Sequence, residues 1–230
     1  IFAFSCLFAT AQNISRTELL GRPTDHSVTV QAFFSDTVEA RVEYGTVSGS
    51  YTAQTAWQLF PATTSAEWIL APLQPSTQYY YRLNVRLPGS IQVTVRPEYT
   101  FHTARPTGET FIFSVQADPH LDNQTDTAIY NRCLQNQLED APDFMIDLGD
   151  FLMTDKLKDS VTNTIPHDTI PYRCDLLRSY YEKACHSVPL FIALGNHEGE
   201  AGWYLNGTPN NIARSEEHTS ELQSHSFISY

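Results

Sequence analysis

Three short apolar runs, each passing directly into a polar turn, constrain this chain more than any other feature. Residues 111–116 lead into Ala117-Asp118-Pro119-His120, residues 144–148 into Gly149-Asp150, and residues 190–194 into Gly195-Asn196-His197-Glu198. Apolar runs this short, bounded by turn residues, read as buried strands. The segments between them, 125–139 and 172–186, look helical, with Asp126 near the positive end of the first. Strand, helix, strand, helix, strand predicts a layered α/β domain whose sheet is at least partly parallel. In such sheets ligands bind beyond the carboxyl ends of the strands, and all three polar turns fall there.

The turns carry metal-type ligands. Asp118 and His120 are two apart in an extended segment and so point to the same side, where one divalent ion can hold both. A hard carboxylate oxygen with a borderline imidazole nitrogen suits zinc, manganese or iron better than calcium. Taken alone, the pair also fits a surface Asp-Pro turn that happens to precede a histidine. Asp150 follows Gly149, whose freedom allows a sharp turn. Its two oxygens can bridge cations held roughly 3.5–4 Å apart; the plainer alternative is a carboxylate that caps the next turn. Asn196 offers a neutral amide oxygen to a second cation and to substrate. His197 then stands beside the substrate, where a protonated imidazole can serve a departing alkoxide. Glu198 either orients His197 or is an exposed loop carboxylate. Each turn alone is ordinary, but the three in this order, each after a strand, form a specific conjunction.

Upstream the texture changes. Segments 27–33, 38–44, 66–70, 79–86, 91–95 and 99–103 are short, β-branched or aromatic and largely alternating, with turn residues between them. They predict an all-β domain over residues 13–106. Leu73-Gln74-Pro75-Ser76-Thr77-Gln78-Tyr79, together with Arg41-Val42-Glu43-Tyr44-Gly45-Thr46, resembles a fibronectin type III-like sandwich, in which a tyrosine hydroxyl ties a corner back to the chain. Tyr79 is then structural. Residues 104–108 break the alternation and read as the linker, and 155–171 as a long insertion beside the polar turns.

Acidic residues outnumber basic ones 26 to 14, a formal charge of −12, which argues against nucleic acid as a partner. Residues 1–8 form an uncharged apolar run too short to span a bilayer, and Ala9-Thr10-Ala11 fits the pattern before a signal cleavage site. Residues 1–11 are therefore expected to be a signal-peptide remnant and the mature chain to be secreted, extracellular or periplasmic. No other segment predicts a membrane span. With Cys6 removed, Cys133, Cys174 and Cys185 remain. Cys174 with Cys185 is the first pair to test as a disulfide, two half-buried thiols being the alternative.

On Asp118, His120, Gly149-Asp150 and Gly195-Asn196-His197-Glu198 the second domain resembles the amino-terminal half of the calcineurin-like metallophosphoesterases, and the two-domain layout resembles purple acid phosphatases. The resemblance implies the first half of a four-layer α/β/β/α sandwich over residues 109–213 and a dinuclear phosphoesterase using divalent or trivalent ions (Fe, Zn or Mn). It implies that Asp118 and His120 bind the first metal, Asp150 bridges both, and Asn196 binds the second. His197 contacts the phosphate and assists the leaving group while metal-bound hydroxide attacks phosphorus. A small phosphate ester is the substrate implied. Purple enzymes carry a tyrosine three residues after the bridging aspartate; Met153 stands there, so no tyrosinate-to-iron colour is expected.

The family completes its site with three later histidines, including a Gly-His-x-His, and none is in place here. His218 and His225 lie in residues 214–230, a segment that resembles the conceptual translation of a DNA-sequencing adapter and is expected to be an artefact outside the fold. The polypeptide as written is therefore expected to lack useful catalysis, its parent being a phosphoester hydrolase. The competing expectation is a secreted binding or adhesion protein with a catalytically dead second domain.

Overall fold

The computed structural model describes residues 16–153, 157, 169–195, 197 and 198. The expected signal remnant, Asn196, most of the 155–171 insertion and the 214–230 tail lie outside the described residues. In chain order the upstream half contains β1 (Arg16–Gly21), β2 (Val28–Phe34), β3 (Val38–Gly45), β4 (Ala53–Gln54), β5 (Gln58–Phe60), β6 (Ser65–Leu70), β7 (Gln78–Arg86), β8 (Thr94–Val95) and β9 (Tyr99–His102). One antiparallel sheet runs β1-β2-β6; the other runs β4-β3-β7-β8, with β5 also paired to β3 and β9 to β7. Alternation sends Val28, Val30, Ala32 and Phe34 of β2 into a shared core with Val38, Ala40 and Val42 of β3 and Tyr81, Leu83 and Val85 of β7. The Tyr79 hydroxyl accepts the Gln74 N–H at 2.9 Å and ties the loop before β7 back to the chain.

The second half contains β10 (Phe113–Gln116), α1 (Thr127–Glu139), β11 (Phe144–Asp147), α2 (Thr169–Cys185) and β12 (Leu190–Ile192). The strands form a parallel sheet in the order β10-β11-β12. Right-handed crossovers between successive parallel strands put both helices on one face, and α1 packs on α2. The Asp126 side chain starts α1 by accepting the N–H groups of Ala128 and Ile129 at 2.9 and 3.2 Å. Met145, Leu190 and Ile192 are buried beneath the helices. On the opposite face Phe113 and Val115 stay 49% and 50% exposed. There the rings of Phe113 and Phe144 stack at 5.5 Å and Phe111 joins them.

Helix α2 is the seam between the halves. Both faces of β2 are covered, one by the sandwich core and the other by this helix, which explains the buried Gln31 in a strand expected to be polar on its outer side. Arg178 of α2 donates to Thr17 Oγ1 at 2.9 Å and Gln31 Oε1 at 2.6 Å, and burial pushes its guanidinium pKa down to about 10. Arg96 joins buried Glu18 at 2.5 Å and Glu182 at 3.6 Å. Leu19 of β1 belongs to the same buried cluster as Leu177, Tyr181 and Leu190.

Several expectations shift. Strands β1, β4 and β5 were not foreseen. Only Thr94–Val95 of the expected 91–95 strand pairs, and Ile91 is 94% exposed beside the turn at Leu87–Ser90. Helix α2 starts earlier than residue 172 because Pro171 sits in its first turn, where a missing N–H costs nothing. No disulfide forms among Cys133, Cys174 and Cys185, the described cysteines. Cys174 and Cys185 lie on one helix, roughly 16 Å apart at 1.5 Å per residue, well beyond the reach of a disulfide. Among the described residues no helix is long and apolar enough to cross a membrane.

His186, just after α2, gives the seam a pH signature. Its ring stacks on Tyr99 with centroids 4.0 Å apart, its carbonyl accepts the Tyr81 hydroxyl at 2.6 Å, and burial lowers its pKa from 6.5 to about 4. Above pH 6.5 the imidazole is neutral in both folded and unfolded chains and contributes no pH dependence. Between 6.5 and 4 only the unfolded chain takes up the proton, so stability falls as pH falls and levels off below 4. Replacing His186→Phe keeps the stack and removes the proton. Denaturant melts at pH 7 and pH 4.5 should show the variant losing about 2 kcal/mol less than the wild type, a figure reduced for partial exposure of the ring. Equal losses in both proteins would contradict the buried-neutral assignment.

Candidate metal centre

The parallel ladder continues past the ends of the strands and brings the three turns together. Leu148 N–H donates to the Gln116 carbonyl at 2.9 Å, and Ala193 N–H to the Asp147 carbonyl at 2.8 Å. Beyond them Asp118 N–H reaches the Gly149 carbonyl and His120 N–H the Asp150 carbonyl, both at 3.0 Å. The chain turns here through conformations that side chains resist: Asp118, His120, Leu121, Asp150 and Met153 have φ of 55°, 52°, 49°, 58° and 53°. Such left-handed non-glycine residues are costly and gather at functional sites.

Two glycines make this possible. Gly149 has φ +97°, and a Cβ there would fall 2.0 Å from Gly195 N; a Cβ on Gly195 would fall 2.3 Å from Asp150 Oδ1. Beneath them buried Asp147 accepts Gly149 N–H at 2.9 Å, Gln116 Nε2 at 2.5 Å and the Tyr181 hydroxyl at 2.6 Å. Burial raises the Asp147 carboxyl above the usual carboxylate range, and these hydrogen bonds pull the other way. Sequence reading passed over this supporting role, although an aspartate inside a buried strand was its signal.

One ligand atom each from Asp118, His120 and Asp150 lies within 4.8 Å of the others. Asp118 Oδ1 is 3.5 Å from His120 Nε2, and that buried nitrogen has no hydrogen-bond partner among the described residues. Two carboxylates around an orphaned imidazole nitrogen are the donor set that a borderline divalent cation takes. The His197 ring lies 5.8 Å from the His120 ring, centroid to centroid, and the His197 N–H donates to Asp150 Oδ1 at 2.8 Å. Asn196, expected as a ligand, is outside the described residues.

Glu198 is not an exposed loop carboxylate: it is 2% exposed and accepts backbone N–H groups of the second and third turns. Beside Asp118 and His120 lies a cavity of about 660 Å³, bordered also by Gln116, Thr125 and Tyr130, with room for a small substrate.

No family model matches this chain, and no curated protein does. Its fold is found among solved structures. Purple acid phosphatase PPD1 from yellow lupin (Lupinus luteus) seeds aligns with a TM-score of 0.68 and 17% identity over 94% of this chain and 41% of its own. PhoD aligns with a TM-score of 0.62 and 15% identity over 93% of this chain and 46% of its own. The chain therefore shares, at low identity, the fold of these two structures and spans less than half the length of either.

Proposed function

We propose that this chain supplies the first metal-binding part of a metal-dependent phosphoesterase acting on small phosphate esters. The observation that carries the proposal is the convergence of Asp118, His120 and Asp150 within 4.8 Å at the carboxyl ends of a parallel sheet. The likeness in fold to a purple acid phosphatase and to PhoD supports it.

In this proposal Asp118, His120 and Asp150 would hold one cation, and Asp150 with Asn196 would hold a second. Iron, zinc and manganese all suit the donors. Bound there, such ions supply Lewis acidity that polarises a phosphoryl group and acidifies water. The residues do the rest. Asp150 Oδ1 takes the backbone N–H of His197, so the turn that carries the imidazole is tied to the carboxylate. His197 then binds a phosphate oxygen and delivers a proton to the departing alcohol.

The bare apolar face of Phe113, Val115 and Phe144 supports a second sheet, from further polypeptide, that completes a four-layer sandwich. The upstream domain, fibronectin type III-like in this proposal, acts as a packing partner. In this proposal the composition of residues 1–11, an apolar run ending in Ala9-Thr10-Ala11, supports export to the outside of the cell or the periplasm.

In the longer polypeptide that this proposal requires, Asp150→Asn is expected to lower turnover of an aryl phosphate by about 100-fold or more, measured with manganese, iron and zinc in turn; unchanged turnover removes the bridging role. An iron-loaded sample should show no visible tyrosinate charge-transfer band, because buried Met153 stands where such a ligand would be needed. A purple solution would contradict that assignment.

A further inference from the structure

Two buried charges of opposite sign flank the candidate metal centre without belonging to it. Glu198 accepts Asp150 N–H at 2.8 Å and Gly195 N–H at 2.6 Å on Oε2, and Phe151 N–H at 2.8 Å and Leu152 N–H at 3.0 Å on Oε1. Arg173 of α2 donates from Nε to the Leu152 carbonyl at 3.0 Å, from Nη1 to the Leu121 carbonyl at 2.5 Å, and from Nη2 to the carbonyls of His120 at 2.6 Å and Phe151 at 3.3 Å. The residues are 2% and 7% exposed.

A buried carboxylate or guanidinium is tolerated only where its hydrogen-bonding capacity is used. Here backbone groups use it. Glu198 joins the second turn to the third, and Arg173 joins the first to the second. The peptide unit between Phe151 and Leu152 is gripped at both ends, its N–H by Glu198 and its carbonyl by Arg173. Charge-assisted bonds of this kind are roughly twice as strong as neutral ones.

We propose that Glu198 and Arg173 are positioning residues that lock the turns around Asp150 before any cation arrives, so that Asp118, His120 and Asp150 form a preorganised ligand set. The role in cation binding rests on the metal-centre assignment above; the lock itself does not. Neither residue touches the cation or the substrate. Each holds the backbone of residues that do, as supporting contacts around metal ligands commonly hold the ligands themselves.

The test uses the whole chain, free of metal, with Mn²⁺ alone as the probe. Glu198→Gln keeps the shape but turns one acceptor into a donor, so one pair of N–H groups loses its partner. Amide hydrogen exchange at Asp150, Phe151, Leu152 and Gly195 is expected to quicken at least tenfold, with the core amides of β3 and β7 unchanged. Mn²⁺ affinity, read from the free-ion electron paramagnetic resonance signal, should fall about 10–100-fold. Arg173→Lys keeps the charge and loses the fork, and should weaken Mn²⁺ binding similarly. The double variant should lose little more than the worse single one, because either change releases the same turn. Wild-type exchange at those amides in both single variants would overturn the lock, and equal, measurable Mn²⁺ affinity in all the proteins would overturn the role of Glu198 and Arg173 in preorganising the ligand set. A wild-type chain that takes up no Mn²⁺ would overturn the metal-centre assignment and the role in cation binding with it, while the exchange rates would still decide whether the turns are locked.

Discussion

Gly149 and Gly195 meet so closely that one added methyl on either would overlap a backbone or carboxylate atom, at 2.0 Å from Gly195 N or 2.3 Å from Asp150 Oδ1. That approach sets everything around it. With the two turns in contact, the His197 N–H can reach the Asp150 carboxylate and the Glu198 carboxylate can reach the Asp150 N–H, so each turn holds the other. The first turn joins through the carbonyls of Gly149 and Asp150. Strained φ angles at His120 and Asp150 are sustained because two or more bonds hold each of them, and Asp118 is held through its N–H on the Gly149 carbonyl. A cluster of two carboxylates and an imidazole then stands on backbone that has little freedom to spread.

The β sandwich takes part without carrying any of this chemistry. Helix α2 is wedged between it and the parallel sheet, held on one side by Arg178 with Thr17 and Gln31 and on the other by Tyr181 with Asp147. The same helix carries Arg173 into the carbonyls of the first and second turns. Polar burial in β1 and β2 is thus a consequence of packing against a charged helix. The upstream domain fixes the orientation of a helix that in turn fixes the turns of the candidate metal centre.

Much of this was legible in the residues. Period-two alternation exposed β2, β3, β6 and β7, and short apolar runs ending in glycine or aspartate exposed β10, β11 and β12 with the turns that follow. The strand-helix order was enough to gather Asp118, His120 and Asp150 at one end of a sheet. What stayed hidden was hidden by polarity. β1 reads Arg-Thr-Glu-Leu-Leu-Gly, and its buried Glu18 makes sense only once Arg96, distant in sequence, is seen beside it. β4 and β5 are edge strands too short for any period to declare itself. Glu198 looks like a solvated loop residue because backbone N–H groups, its actual partners, leave no trace in a sequence. Arg173 is hidden for the same reason, since among the described residues its hydrogen bonds run to backbone carbonyls.

The central claim is that three strand tips form a cation site at Asp118, His120 and Asp150. A crystal of the protein soaked in Mn²⁺ or Zn²⁺ and measured on both sides of the metal's absorption edge tests it directly. The account predicts an anomalous peak coordinated by His120 Nε2 and by carboxylate oxygens of Asp118 and Asp150. A peak elsewhere on the surface, or none while these three side chains turn away from one another, would contradict it.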